Sequence, residues 1–301
     1  MSKVTLFSGS IAIGLAAIMW GFDGVVLTPR LFNLDVSFVV MVLHLLPFLL
    51  MNLFLYKEYQ QLNGFSKRDV LILTAVALTG GALGTTAIVK ALFLVNFQQL
   101  SIVVLLQKLQ PIFALSLAAL LVKERMSRSF LIWAILAIGA GYTLAFGWNL
   151  PKTSDNNSQV FAALFALLSA FCFGSSTIFS KMLLAKYHFK TITFFRYGFT
   201  SVLMIVWVIA TGHFGQWTHT TPTNWMFFIL IGLTTGSGAI FLYYYGLMKV
   251  KASVSVMLEL LFPISAILFD YLINGTQLLL IQWISAFVMI GAIIQLNRGS
   301  N

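Results

Sequence analysis

Apolar runs of about twenty residues alternate with short polar links along the whole sequence. The runs fall at about 7–27, 36–56, 70–95, 100–122, 129–148, 160–185, 191–211, 224–248, 253–273 and 277–296. Each is long enough for a helix to cross a hydrocarbon core, which takes about 20 residues. The pattern predicts an all-α polytopic membrane protein with ten transmembrane helices. No link is long enough to hold a folded nucleotide-binding domain, and no G-x-x-x-x-G-K-[ST] phosphate loop is present. The run after Lys3 continues through Trp20 to Leu27 with no convincing small-residue cleavage site, so it reads as a retained first span.

Displaced by 152 residues, the sequence begins to match itself. Pro111 falls on Pro263, Ser101 on Ser253, Gly139 on Gly291, Gly80 on Gly232 and Gly84 on Gly236. At 153, Gly21 meets Gly174, with Trp20 over Phe173. The charged links do not match: Lys123-Glu124-Arg125 lies over Gly275-Thr276-Gln277, and Lys249 and Lys251 lie over Phe97 and Gln99. A unit of five spans, inserted twice in opposite orientations, would swap which loops are basic. Residues 1–153 and 154–301 are therefore expected to be two inverted five-helix repeats. That arrangement places a transporter's substrate near midplane, between the halves.

Composition excludes the main alternatives. Hydrophobic residues make up 59% and charged residues 9%, too few to dress a soluble enzyme or a nucleic-acid reader. The formal charge of +10 fits the basic inner loops of a membrane protein. With the N-terminus inside, Lys3, Lys57, Lys67, Arg68, Lys123, Arg125, Arg128, Lys186, Lys190, Lys249, Lys251 and Arg298 are cytoplasmic. Only Arg30 and Lys152 fall outside. Both termini are thus expected in the cytoplasm, with the chain in an inner membrane of prokaryotic type. The single cysteine, Cys172, allows no intrachain disulfide, and of four histidines only His44 lies in a span. Neither a metal set nor a cofactor is expected.

Trp20-Gly21 in the first span, and Leu109-Gln110-Pro111-Ile112-Phe113 followed by Lys123-Glu124-Arg125, resemble the drug/metabolite transporter superfamily, closest to its EamA branch. Arg196 in the seventh span also matches a position where such proteins often carry Arg. The sequence departs at Gly275-Thr276-Gln277, where many relatives keep a Glu, and at His44, where the first half often has Arg. The resemblance implies a secondary carrier of small metabolites and leaves the substrate open.

Ionisable side chains at bilayer depth are functional candidates by default. His44, Lys108, Arg196 and Glu259 lie deepest, and under the shift His44 lies over Arg196 and Gln107 over Glu259. A substrate or coupling role is expected here; a structural Lys108–Glu259 pair is the plainer alternative. Pro111 and Pro263 each follow one turn later and free a backbone carbonyl, so both helices should bend and line a cavity. Trp20, Tyr243 and Tyr244 are the aromatic candidates. Asp23 and Lys90 lie towards the outside, as snorkelling groups or as a paired outer gate. Thr79 to Gly84 and Thr234 to Gly238 read as packing seams or hinges rather than phosphate loops.

The mixed charges favour a small zwitterionic metabolite, an amino acid or derivative first, with organic-cation or drug export as the rival. Coupling to H+, to another ion or to exchange fits such a carrier. The expected surroundings are lipid and a small-molecule substrate rather than nucleic acid, for a monomer or a homodimer.

Overall fold

The computed structural model describes residues 3–94, 103, 106–107, 109–148, 157–275, 277 and 279–298, and their regular structure is entirely helical. In chain order the helices are α1 (Thr5–Leu31), α2 (Val36–Gly64), α3 (Lys67–Leu94), α4 (Gln110–Val122), α5 (Arg128–Leu144), α6 (Val160–Leu184), α7 (Phe189–Ala210), α8 (Pro222–Lys249), α9 (Ala252–Asn274) and α10 (Leu280–Leu296). Among the described residues, seven are long and apolar enough to cross a membrane, while α4, α5 and α10 are shorter apolar helices. Lys108, Ser101, Lys152 and Thr276 lie outside the described residues.

The helix ends follow local chemistry. Asp35 accepts the Ser37 amide at 2.8 Å to start α2, and Ser66 with Asp69 forms a capping box at α3. Thr221 and Asn224 make the same box at α8, behind Pro222 in the first turn. Gly212 and Gly275 close α7 and α9 at φ of +74° and +71°, where a side chain would strain the backbone.

The bundle is apolar outside and hydroxyl-rich within. Phe7, Leu53, Ile135, Leu280 and Phe287 are 66% to 76% exposed, which suits contact with lipid tails. Ser176, Ser180, Thr193, Thr200 and Ser255 are buried, their small side chains letting helices approach closely.

Packing partners come in pairs related by the 152-residue shift. α1 packs on α8 and α9, and α6 packs correspondingly on α3 and α4. α2 pairs with α7, and α5 with α10. A Cβ on Gly21 would run into Ser265 Oγ and come within 2.8 Å of the Ala266 amide. One on Gly174 would reach the Gln110 carbonyl at 3.0 Å and the Ala114 amide at 3.1 Å. The glycine segments at Ala77–Leu83 of α3 and Gly232–Gly236 of α8 both wind as π-helix. Gly81 there faces the Thr200 side chain with no room for a methyl.

Candidate functional site

Glu259 sits where α9 breaks. The helix runs Ala252–Leu258, turns at Glu259 and Leu260, and resumes as Leu261–Asn274. Pro263 cannot donate to the Glu259 carbonyl, and the Phe262 amide takes that carbonyl in a tight turn at 2.9 Å. The expected orphan carbonyl is thus satisfied locally, and the break serves to aim the side chain. The Glu259 carboxylate accepts from Gln110 Nε2 at 2.7 Å and from the Tyr243 hydroxyl at 2.6 Å. Tyr243 Oη also lies 2.9 Å from Thr177 Oγ1 and 3.4 Å from Ser255 Oγ. The Trp20 ring stands 5.3 Å from the Tyr243 ring, tilted by 55°. Glu259, Gln110 and Trp20 keep part of their surface open, whereas Tyr243 is buried.

The adjacent Tyr244 leads to a second polar cluster. Its hydroxyl lies 2.6 Å from Ser180 Oγ and accepts from Arg196 Nη1 at 2.8 Å. Arg196 Nη2 donates to the Gly80 carbonyl at 2.8 Å. A Cβ on Gly80 would overlap Ser176 Oγ and reach Arg196 Nη2 at 3.1 Å, so glycine is what lets the backbone meet the guanidinium. Arg196 is 7% exposed, and among the described residues its Nε has no hydrogen-bond partner and its other nitrogens meet only uncharged ones.

His44 bonds locally: Nδ1 donates to the Val40 carbonyl at 2.8 Å, and the ring is 5.2 Å from Tyr197. Gln107 is half-buried at the approach to α4. The structure therefore joins Trp20, Tyr243 and Glu259 in one cluster, and Tyr244 with Arg196 in the next. From α4 it is Gln110 that meets Glu259; Lys108, the partner expected from the sequence, lies outside the described residues. Gln110, Thr177, Ser180 and the Gly80 carbonyl are site members that the spacing of charges alone does not reveal. The signal for Gln110 was its place directly before Pro111.

Asp23 and Lys90, expected as snorkelling groups or a paired outer gate, are not bonded to each other in this structure. A π-helical stretch, Asp23–Leu27, turns Asp23 toward α8, where it accepts from Thr235 at 3.1 Å and from Thr28 at 3.1 Å. Lys90 is exposed, on a shallow surface shared with Leu34, Asp35 and Phe93. Among the described residues, no grouping of His, Cys, Asp and Glu suits a metal ion.

A third polar arrangement holds the α8–α9 elbow. Glu124, just past α4, accepts the Ala252 amide at 2.7 Å and the Ser253 amide at 3.0 Å, capping the start of α9. Lys181 on α6 donates to the Leu247 carbonyl at 2.7 Å and to the Val250 carbonyl, capping the end of α8.

A family model described as the EamA-like transporter family matches residues 7–146 and again 160–298. The riboflavin transporter ImpX of Fusobacterium nucleatum subsp. nucleatum is 50% identical over 291 residues, 96% of this chain and 97% of that one. A solved crystal structure of a protein superposes with a TM-score of 0.70 at 13% identity, over 95% of this chain and 96% of that one, a likeness of fold. The family model and the named relative both describe transporters rather than enzymes. With both halves matched by one transporter model, the chain belongs to the EamA-like transporter family.

Proposed function

We propose that the chain carries riboflavin across a cytoplasmic membrane by alternating access. The observation that carries this reading is the 50% identity, sustained over almost the full length, to a protein named as a riboflavin transporter. Riboflavin takes the place of the amino acid that the mixed charges favoured, and the cation exporter has no comparable support. The half-open cluster of Trp20, Gln110 and Glu259, backed by Tyr243, suits a flat, polar-edged guest, with Arg196, Tyr244, Gln107 and His44 as the further candidates.

The moving parts in this proposal are two inverted five-span repeats, 1–153 and 154–301, which make α4, α5 and α10 spans as well. Support comes from the shift-related packing of Gly21 on α9 and Gly174 on α4, and from the opposite charge of corresponding loops. The excess of Lys and Arg in alternate links supports cytoplasmic termini. The breaks preceding Pro111 and Pro263 serve as bending points, and Glu259 is the group available for ion coupling.

The test is accumulation of labelled riboflavin in a riboflavin-requiring bacterial strain that lacks its own uptake system. Expression should restore accumulation and growth on low external vitamin. Uptake no greater than with an empty vector, together with no efflux from preloaded cells, would end this reading.

A further inference from the structure

Glu259, Gln110 and Tyr243 present three polar groups in a fixed order. Gln110 Nε2 is a donor, the Glu259 carboxylate is an acceptor, and the Tyr243 hydroxyl is a donor. Each donor now bonds a different carboxylate oxygen, Gln110 to Oε2 and Tyr243 to Oε1, so the carboxylate lies between them. Each carboxylate oxygen has a second lone pair to offer a further donor. The one Tyr243 proton is spent on Oε1, whereas Gln110 Nε2 keeps a second N–H, so the array offered to a ligand is donor–acceptor.

Riboflavin has one edge of the opposite pattern. The imide of its isoalloxazine ring runs carbonyl, N3–H, carbonyl, which is acceptor–donor–acceptor. Its other ring edge carries two methyl groups and no donor. Resting on the riboflavin reading above, we infer that Gln110 and Glu259 read the imide edge: Glu259 accepts N3–H while the second amide N–H of Gln110 donates to a flanking carbonyl, and Tyr243 holds the carboxylate from the buried side. Trp20, tilted by 55° against Tyr243, supplies a ring face beside that edge.

Two observations favour this cluster over Arg196 as the imide reader. Arg196 has donors only, so it cannot accept N3–H. It is also 7% exposed and already committed to Tyr244 and Gly80, whereas Glu259 and Gln110 retain open surface. The break of α9 at Glu259 matters too, because it holds the carboxylate opposite Gln110 across the two halves.

A charge-backed hydrogen bond to a buried acceptor contributes about 1.5–3 kcal/mol, equivalent to roughly 10- to 100-fold in affinity. The decisive comparison is riboflavin against N3-methylriboflavin, which lacks the donor and points a methyl at the carboxylate. Binding to purified full-length protein in detergent is read from quenching of flavin fluorescence. The expected result is N3-methylriboflavin binding at least ~10-fold more weakly than riboflavin. In Glu259→Gln the group beside Gln110 becomes an NH2 with no lone pair to accept N3–H, and the ratio between the two ligands should fall toward one. Equal affinities in the unaltered protein would overturn the inference while leaving riboflavin transport intact. A ratio unchanged in folded Glu259→Gln would overturn it as well. If riboflavin itself neither binds nor is carried, the transport reading fails instead, so the two failures are separable.

Discussion

Gly21 on α1 leans on α9 beside Phe262 and Ala266, and Gly174 on α6 leans on α4 beside Gln110 and Ala114. Those contacts superpose within one residue of the same shift, and so do the pairs α1–α8 and α6–α3. The side chains that bear hydrogen-bonding chemistry do not. Where the second half has Tyr243, the first has Ala91, fully buried; where it has Arg196, the first has His44, bonded within its own helix. Close helix packing requires small residues wherever two spans meet, so both halves keep them. A small guest needs its contacts only once, so one half carries Arg196, Tyr243, Tyr244 and the carboxylate while the other supplies Trp20, Gln110 and the Gly80 carbonyl.

The comparison yields ranked expectations. Arg196→Ala removes two charge-backed hydrogen bonds and leaves the Tyr244 and Gly80 oxygens with one partner fewer, a loss of about 3–5 kcal/mol. Its melting temperature in detergent should fall well below that of any other variant considered below. A drop no larger than for His44→Ala would erase the contrast between the halves. Gly21→Ala forces a methyl against Ser265 and the Ala266 amide, a cost of about 1–3 kcal/mol. Gly174→Ala meets contacts of 3.0–3.2 Å and should be milder, so a reversed order in the same melting experiment would contradict the packing described.

Glu124→Gln weakens the cap on Ala252 and Ser253 by about 1 kcal/mol. Hydrogen exchange at those two amides should speed up by several-fold while exchange in α2 stays as it was. His44→Ala gives up one local hydrogen bond to Val40, about 0.5–1.5 kcal/mol, and sets the lower limit of the series.

The helices were readable because a bilayer leaves few options: each backbone polar group must be satisfied within its own helix, and the apolar runs announce where. Pro263 and Glu259 were readable together, since a proline one turn after a carboxylate marks a break at depth. The partners were not. Gln110 reaches Glu259 across 149 residues of sequence, and Glu124 reaches Ala252 across 128. The charged Lys123-Glu124-Arg125 motif was visible, yet its cap on another helix needs three-dimensional register. The Asp23–Thr235 bond was hidden for a related reason, because Asp23 opens a π-turn that a regular helical period does not anticipate.

The elbow between α8 and α9 has a kinetic meaning. Its two-residue link, Val250-Lys251, is gripped by a carboxylate from α4 on one side and an ammonium from α6 on the other. Separating α4 from α9 at that end breaks the Glu124 bonds outright, so they add to the activation barrier of any opening that passes through it. Each 1.36 kcal/mol there slows the step about tenfold. Loosening the elbow would change how quickly a solute gradient relaxes or builds, while the final ratio across the membrane, fixed by the driving ion or by the solute alone, would stay where it was.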